Sequence, residues 1–362
     1  MVKAALISMG SASSQWIAKA MKKYFDEVDF LDIREIEIFA NKKEVGVFYG
    51  GKPLKDYDCV YARGSFRYAN VLQAISEVLY DKTYMPIQPQ SFVTVHDKFF
   101  TQIELAKHRI LTPPSYLVAT GDAARKILKD INYPIIIKFP TGTHGKGVMY
   151  AESYASASSM LDAVESRQSP LIIQTYFETK GEDIRAIVAG DNVIACMLRK
   201  ADEREKRANI HSGGKGIIYD IDEKLEKICV KSAKVLGAEV CAIDLLETSL
   251  GYFVIEANLS VGLQGITSAT DINVADKIAK YLYKKTKKFR DEKKKVTAGK
   301  IMQNMGKEDK IKHFVSNVDL RGNRILLPDM VTKISKLDHG HEIVINSDEG
   351  KITIEKIDSE EE

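Results

Sequence analysis

Tyr133-Pro134-Ile135-Ile136-Ile137-Lys138-Phe139 runs through Pro140 into Thr141-Gly142-Thr143-His144-Gly145-Lys146-Gly147. The first seven residues read as an apolar strand, the rest as a glycine-rich turn before a second strand, Val148–Ala151. Three glycines let backbone N–H groups approach phosphate oxygens closely. The turn is not a Walker A loop, because Gly145-Lys146 is followed by Gly147 and a strand, not by Ser or Thr and a helix. On its own a flexible hairpin turn would read the same way. Lys138 narrows the choice. A lysine inside an apolar strand points at solvent or at an anion, because an unpaired buried ammonium is costly.

Two further groups lie upstream and downstream of this stretch. Lys98 opens a helix, Asp97–His108, where a solvated helix residue is the plain alternative. Asp244 is an isolated charge in the apolar strand Val240–Leu246, and Glu256 and Asn258 lie in Val254-Ile255-Glu256-Ala257-Asn258. Residues two apart on a strand face the same way, so Glu256 and Asn258 can share a ligand. An all-oxygen set suits Mg²⁺, which keeps waters and binds substrate phosphates. Polar caps on strand ends are the alternative. Arg207-Ala208-Asn209-Ile210-His211-Ser212-Gly213-Gly214 offers a cation, an amide and pliant backbone, suited to a transferred phosphoryl group and an oxyanion, or else is an exposed basic loop.

Residues 1–93 alternate short strands and helices: a strand at Ala4–Met9, a helix at Ser14–Tyr24, strands at Val28–Ile33 and Cys59–Ala62, a hairpin over Ile36–Tyr49 and a helix at Ala69–Leu79. That alternation predicts an open α/β sheet. Residues 94–288 form a longer α/β stretch closed by a helix at Asp271–Lys285. A basic linker follows, with nine Lys or Arg between Lys284 and Lys300 against Asp291 and Glu292, and then a compact β-rich tail over 311–362.

The order of these elements resembles one family. Lys98, Ile135-Ile136-Ile137-Lys138 with its glycine loop, Gln174-Thr175-Tyr176, Gly181-Glu182-Asp183-Ile184-Arg185, Arg207-Ala208-Asn209 with Gly213-Gly214, Asp244, and Glu256-Ala257-Asn258-Leu259-Ser260-Val261-Gly262-Leu263 follow one another as in the RimK-type ATP-grasp ligases. The resemblance covers about residues 85–288. It implies an α/β fold: a pre-ATP-grasp domain over 1–93, a two-lobed ATP-grasp domain over 94–288 with its lid at about 110–178, a linker at 289–310 and an appendage at 311–362. It implies an ATP-dependent, ADP-forming carboxylate–amine ligase working through an acylphosphate with ATP and Mg²⁺, for which Mn²⁺ substitutes. Glutamate or a related amino acid would be joined to the carboxylate of a protein C-terminus, a carrier protein or a coenzyme.

Position by position, the resemblance gives ATP to Lys98, Lys138, Gly142, Gly145, Lys146, Gly147, Gln174, Thr175, Tyr176, Phe177 and Asp183, with Asp183 binding ribose or orienting the site. Arg207, Asn209 and Lys138 would carry the chemistry, with Arg207 and Asn209 at the γ-phosphate. Asp244, Glu256 and Asn258 would hold the metal. Two positions depart from the family pattern. Val261 stands where a proline is usual, which bears on loop stiffness. Ser212 stands where an arginine is common, so the amino acid added need not be glutamate.

The tail, through Gly322-Asn323-Arg324-Ile325-Leu326-Leu327-Pro328 and Leu337-Asp338-His339-Gly340-His341-Glu342-Ile343, resembles the small swapped-hairpin AbrB-like module. That module dimerises and often binds DNA, so the alternative to a ligase is an ATP-sensing DNA-binding regulator. A β-rich dimerisation or substrate-presenting appendage is favoured over DNA contact, and a homo-oligomer is expected. The chain has 362 residues, enough for two or three domains, and a net charge of +3 that by itself selects no partner. No apolar run is long enough to span a bilayer, and the first ten residues read as strand and turn, not as a signal peptide. Cys59, Cys196, Cys229 and Cys241 fit no metal spacing and read as reduced core thiols of a cytoplasmic protein.

Overall fold

The computed structural model describes residues 1–142, 147–164, 169–201, 215–305, 319–338 and 342–356. The chain forms two compact units, Met1–Phe289 and Arg290–Glu362.

The first unit opens with β1 (Lys3–Ser8), α1 (Ala12–Met21), β2 (Glu27–Asp32), the hairpin β3 (Ile36–Ala40) and β4 (Val45–Tyr49), the short β5 (Lys52–Pro53), β6 (Cys59–Ala62), α2 (Ala69–Leu79), α3 (Ser91–His96) and α4 (Lys98–Lys107). β2, β1 and β6 make a parallel sheet, as the strand–helix alternation predicts. Ala4, Ala5, Leu6 and Ile7 are all buried, since helices cover both faces of such a sheet. The first helix starts two residues earlier than expected because Ser11 caps it, its Oγ accepting the Ser14 N–H at 3.3 Å. Asp97 caps α4, accepting from Phe99 and Phe100 N–H at 2.8 and 3.0 Å, and so fixes Lys98 in the first turn.

A second sheet follows, built from β7 (Ser115–Val118), α5 (Gly121–Asp130), β8 (Ile135–Lys138), β9 (Val148–Ala151), α6 (Tyr154–Val164) and β10 (Leu171–Thr175). Its order is β7-β10-β8-β9, antiparallel throughout. Ile135, Ile137, Leu171 and Ile173 pack with Leu128 and Leu161 in a core of its own. Lys138 and Gln174 alternate with these residues and face the other way. The lobe is thus a helix-backed sheet whose other face carries Lys138 and Gln174.

The remaining sheet contains β11 (Glu182–Ala189), β12 (Asn192–Lys200), β13 (Lys215–Ile218), then, after α7 (Glu223–Val235), β14 (Val240–Thr248) and β15 (Gly251–Asn258), in the order β13-β12-β11-β14-β15. α8 (Gln264–Thr270) and α9 (Val274–Met305) complete the run. One hydrophobic core joins this sheet to the N-terminal one, including Leu6, Tyr61, Phe92, Ile187, Ile243 and Leu282. The boundary drawn at residue 93 therefore separates elements that share a core.

The helix expected over Asp271–Lys285 begins at Val274 and continues to Met305, through the basic stretch assigned to a linker. Lys, Arg and Glu are good helix formers, and no proline interrupts them. In the second unit β16 (Asp319–Arg321) pairs with β17 (Arg324–Leu326), α10 (Asp329–Ser335) follows, and β18 (Ile343–Asp348) pairs with β19 (Lys351–Lys356). The β-rich tail expected is thus present as two hairpins, in which Leu320 and Ile345 are 62% and 58% exposed. No described helix is long and apolar enough to cross a membrane.

Candidate active site

The end of β8 brings Lys138 to the mouth of the glycine loop. Its side chain is only 7% exposed. Its Nζ donates to Gln174 Oε1 at 2.9 Å, and Gln174 Nε2 donates onward to Ser115 Oγ at 2.7 Å. Burial pushes the Lys138 ammonium down to about 8, with Glu256 acting to restore it and Lys98 adding to the depression. Lys98 reaches the same loop from α4: its Nζ donates to the Gly142 carbonyl at 2.7 Å and its backbone N–H to Pro140 at 3.0 Å. Two cations from distant parts of the sequence thus converge where the glycine loop begins.

Gly147 closes the loop at φ +79°, and a Cβ there would lie 2.8 Å from the Phe139 ring, so only glycine fits. Gly142 is described, at φ 148°. Gly145, Lys146, Arg207 and Asn209 lie outside the described residues. Downstream of Gln174, Thr175 N–H donates to Pro114 at 2.9 Å. Tyr176 meets the Tyr150 ring edge to face at 4.9 Å, and Phe177 stacks on Phe253 at 4.6 Å. Phe177 therefore packs directly on β15, the strand that carries Glu256.

Asp244 and Glu256 are directly opposite across β14 and β15, and Asn258 follows two residues on, its Nδ2 donating to Asp244 Oδ2 at 3.5 Å. The three expected oxygen ligands share one face. Asp244 is not a free carboxylate. Arg185 donates to it through two parallel hydrogen bonds of 2.8 and 2.7 Å, and Arg199 adds a third at 3.0 Å. Burial alone would push its carboxyl up, but the two guanidiniums outweigh this and hold it below the ordinary carboxylate value. Arg199 also bonds Asp183, whose carboxyl is pushed up by burial despite that partner. Asp183 is thus turned to Arg199.

Glu256 differs. Half-buried, it accepts no hydrogen bond and forms no ion pair among the described residues. A carboxylate left unpaired beside a second carboxylate and an amide oxygen fits a hard divalent cation. The sequence reading missed Arg199 and Ser115. Arg199 does carry a signal, an arginine at an inward position of an apolar strand, but its partners are 16 and 45 residues away. A cavity of about 180 Å³ lined by Tyr80, Gln88, Gly190, Glu239, Tyr281 and Lys285 holds none of these groups.

Comparison with known proteins gives the arrangement a class. Residues 95–282 match the RimK-like ATP-grasp domain. A probable alpha-L-glutamate ligase of Legionella pneumophila is 34% identical over 246 residues, 66% of this chain and 80% of that protein. The ribosomal protein bS6–L-glutamate ligase of Escherichia fergusonii is 30% identical over 258 residues, 70% of this chain and 86% of the other. Among solved structures, the ATP-grasp ligase PsnB, complexed with a phosphomimetic variant of a minimal precursor, Mg and ADP, superposes with a TM-score of 0.62 at 16% identity, over 78% of this chain and 98% of PsnB; that likeness is one of fold. A helix-backed lobe over a second sheet, with cations at a glycine loop facing carboxylates, makes this an ATP-grasp enzyme, an ATP-dependent ligase that forms amide bonds. Within that class the chain belongs to the RimK-like family.

Proposed function

We propose that the enzyme joins glutamate or a related amino acid to a carboxylate carried by a protein, a carrier protein or a coenzyme, through an acylphosphate, in the cytoplasm. The observation that carries this reading is the pairing of a cation-lined glycine loop with Glu256, which acts on the Lys138 charge and has no hydrogen-bond or ion-pair partner among the described residues. Lys98 and Lys138 would hold the ATP phosphates, and Gln174 would fix Lys138 in place. Tyr176 and Phe177 would lie along the adenine. Asp244, Glu256 and Asn258 would hold Mg²⁺, or Mn²⁺ in its place. The metal, when bound, offsets charge on the phosphates during transfer. Arg185 and Arg199 keep Asp244 ionised and aimed. Arg207 and Asn209 would meet the transferred phosphoryl group and the oxyanion of amide formation.

The relatives' names support glutamate, and Ser212 argues for testing other amino acids. The test is mass analysis of products from ATP, Mg²⁺, each amino acid in turn and cell extract, with ADP release followed in parallel. The expected result is ADP formation that requires a carboxylate acceptor and a product heavier by one or more amino-acid residues. ADP release unaffected by any carboxylate or amine would refute the reading.

A further inference from the structure

Arg63 follows β6 at the carboxyl end of the parallel N-terminal sheet, the edge at which open α/β sheets bind ligands. It is 3% exposed. Its Nη2 donates to the Val261 carbonyl at 2.5 Å, and its guanidinium carbon lies 5.5 Å from the centre of the Tyr61 ring. Its Nε and Nη1 are buried and have no hydrogen-bond partner among the described residues, and the neighbouring Tyr61 hydroxyl is likewise buried without one. Arg199, equally buried, meets two carboxylates; Arg63 meets none among the described residues.

An arginine does not escape burial by losing its proton. An uncompensated buried charge is strongly destabilising, so a fold that keeps one supplies an anion when it works. Nη2 has two N–H bonds and gives one to Val261. Whichever it gives, Nη2 and one neighbouring nitrogen are left as a two-donor edge, the shape that matches a carboxylate. Burial pushes the guanidinium down, and Tyr61 acts the other way.

The location ties this edge to the reaction. Gly64 N–H donates to Ser260 Oγ at 2.8 Å, and Ser260 Oγ donates back to the Gly64 carbonyl at 2.7 Å. Leu263 N–H donates to Ser13 Oγ at 2.9 Å. The Arg63 loop is therefore laced to the loop that leaves Glu256 and Asn258. Val261 is three residues past Asn258, at most about 11 Å of backbone.

We propose that Arg63 binds a carboxylate of the incoming amino acid, which reacts through its amine and keeps its carboxylates out of bond formation. This rests on the amino-acid ligase reading above. The acceptor carboxylate is the poorer occupant, because it loses its charge on activation and would strand the guanidinium in each turnover. A bystander carboxylate keeps its charge from binding to release, so the pair persists. Such uniform binding appears in KM and not in kcat.

The test compares wild type, Arg63→Gln and Arg63→Lys, with the amino acid and its carboxamide as substrates. Wild-type product formation first establishes the ligase reading independently. Arg63→Gln should raise KM for the amino acid about tenfold to a hundredfold, as expected for a lost charge-assisted pair, with the loss in that KM and not in the KM for ATP. Arg63→Lys, which keeps the charge, should recover part of it and covers the case in which Arg63→Gln does not fold. The carboxamide should be a poor substrate for wild type and suffer little further loss in either variant. An unchanged amino-acid KM in a folded variant, a rise confined to the acceptor's KM, or full additivity of the variant and carboxamide penalties would overturn the proposal.

Discussion

Lys138 is where the residue-scale chemistry is easiest to read. Its folded value near 8 lies below the ordinary lysine value, so keeping the amine charged in its buried setting costs stability below about pH 8. That cost fades as the pH rises toward the unfolded value. A triphosphate placed against it favours the ammonium and reverses the shift. ATP binding at about pH 8.5 should therefore take up protons, measured by calorimetry in buffers of different ionisation enthalpy, and the uptake should shrink at about pH 6.5, where the amine is already charged. Lys138→Met should abolish the uptake and weaken ATP binding by about tenfold to a hundredfold. Unchanged affinity in a folded variant would make Lys138 structural. Glu256 supports the second residue-scale prediction. Since Glu256 makes no hydrogen bond or ion pair among the described residues, Glu256→Gln should fold, yet lose ligation by on the order of 3 kcal/mol or more in activation free energy while ATP binding suffers less. Turnover like that of wild type would remove Glu256 from the metal set. Both residues were legible in the sequence because each is a polar interruption of an apolar strand.

The strands of the central sheet show what a local reading misses. Arg199 on β12 reaches Asp183 on β11 and Asp244 on β14, while Arg185 on β11 takes the other side of Asp244. Two acids and two bases thus balance in a largely buried row across three strands. Arg199→Leu should cost about 3 kcal/mol, since it strands the buried Asp183 carboxylate and leaves Asp244 with Arg185 alone. Urea unfolding of the folded variant measures this; a loss within a few tenths of a kcal/mol would show that solvent already screens the row. The row also stiffens the strand pair under the site, keeping the Asp244 carboxylate in place opposite Glu256. β7 and α5 escaped the sequence reading for another reason: they pack chiefly against β10 and α6, which lie some thirty to sixty residues further along the chain.

For the whole molecule, the division at Phe289 separates all the described site residues from the C-terminal unit. That unit presents two-stranded hairpins with exposed Leu320, Ile325, Ile345 and Ile352. Isolated hairpins are marginal in water, and a chain of this size needs help from elsewhere to be stable. Association of copies through the appendage is the expected remedy. Truncation after Met305, at the end of α9, should leave ATP-dependent ligation within a few-fold of wild type and lower the oligomeric state seen by light scattering. Lost turnover with an unchanged assembly would place the appendage at the active site.

The sequence by itself determined the succession of strands and helices, the glycine loop, and the side chains able to serve phosphate and metal, because each shows as a departure from local apolar periodicity or as a turn requirement. It also allowed the family to be seen from the order of these motifs. Only the tertiary structure decided that Asp183 turns to Arg199, that Asp244 is held by two guanidiniums, that the basic stretch continues a helix, and that Arg63 is buried without a carboxylate partner among the described residues. Each of these depends on burial and on partners far away in sequence. A side chain's charge is written in the sequence, but the medium around that charge, which sets what it can bind, is made by packing.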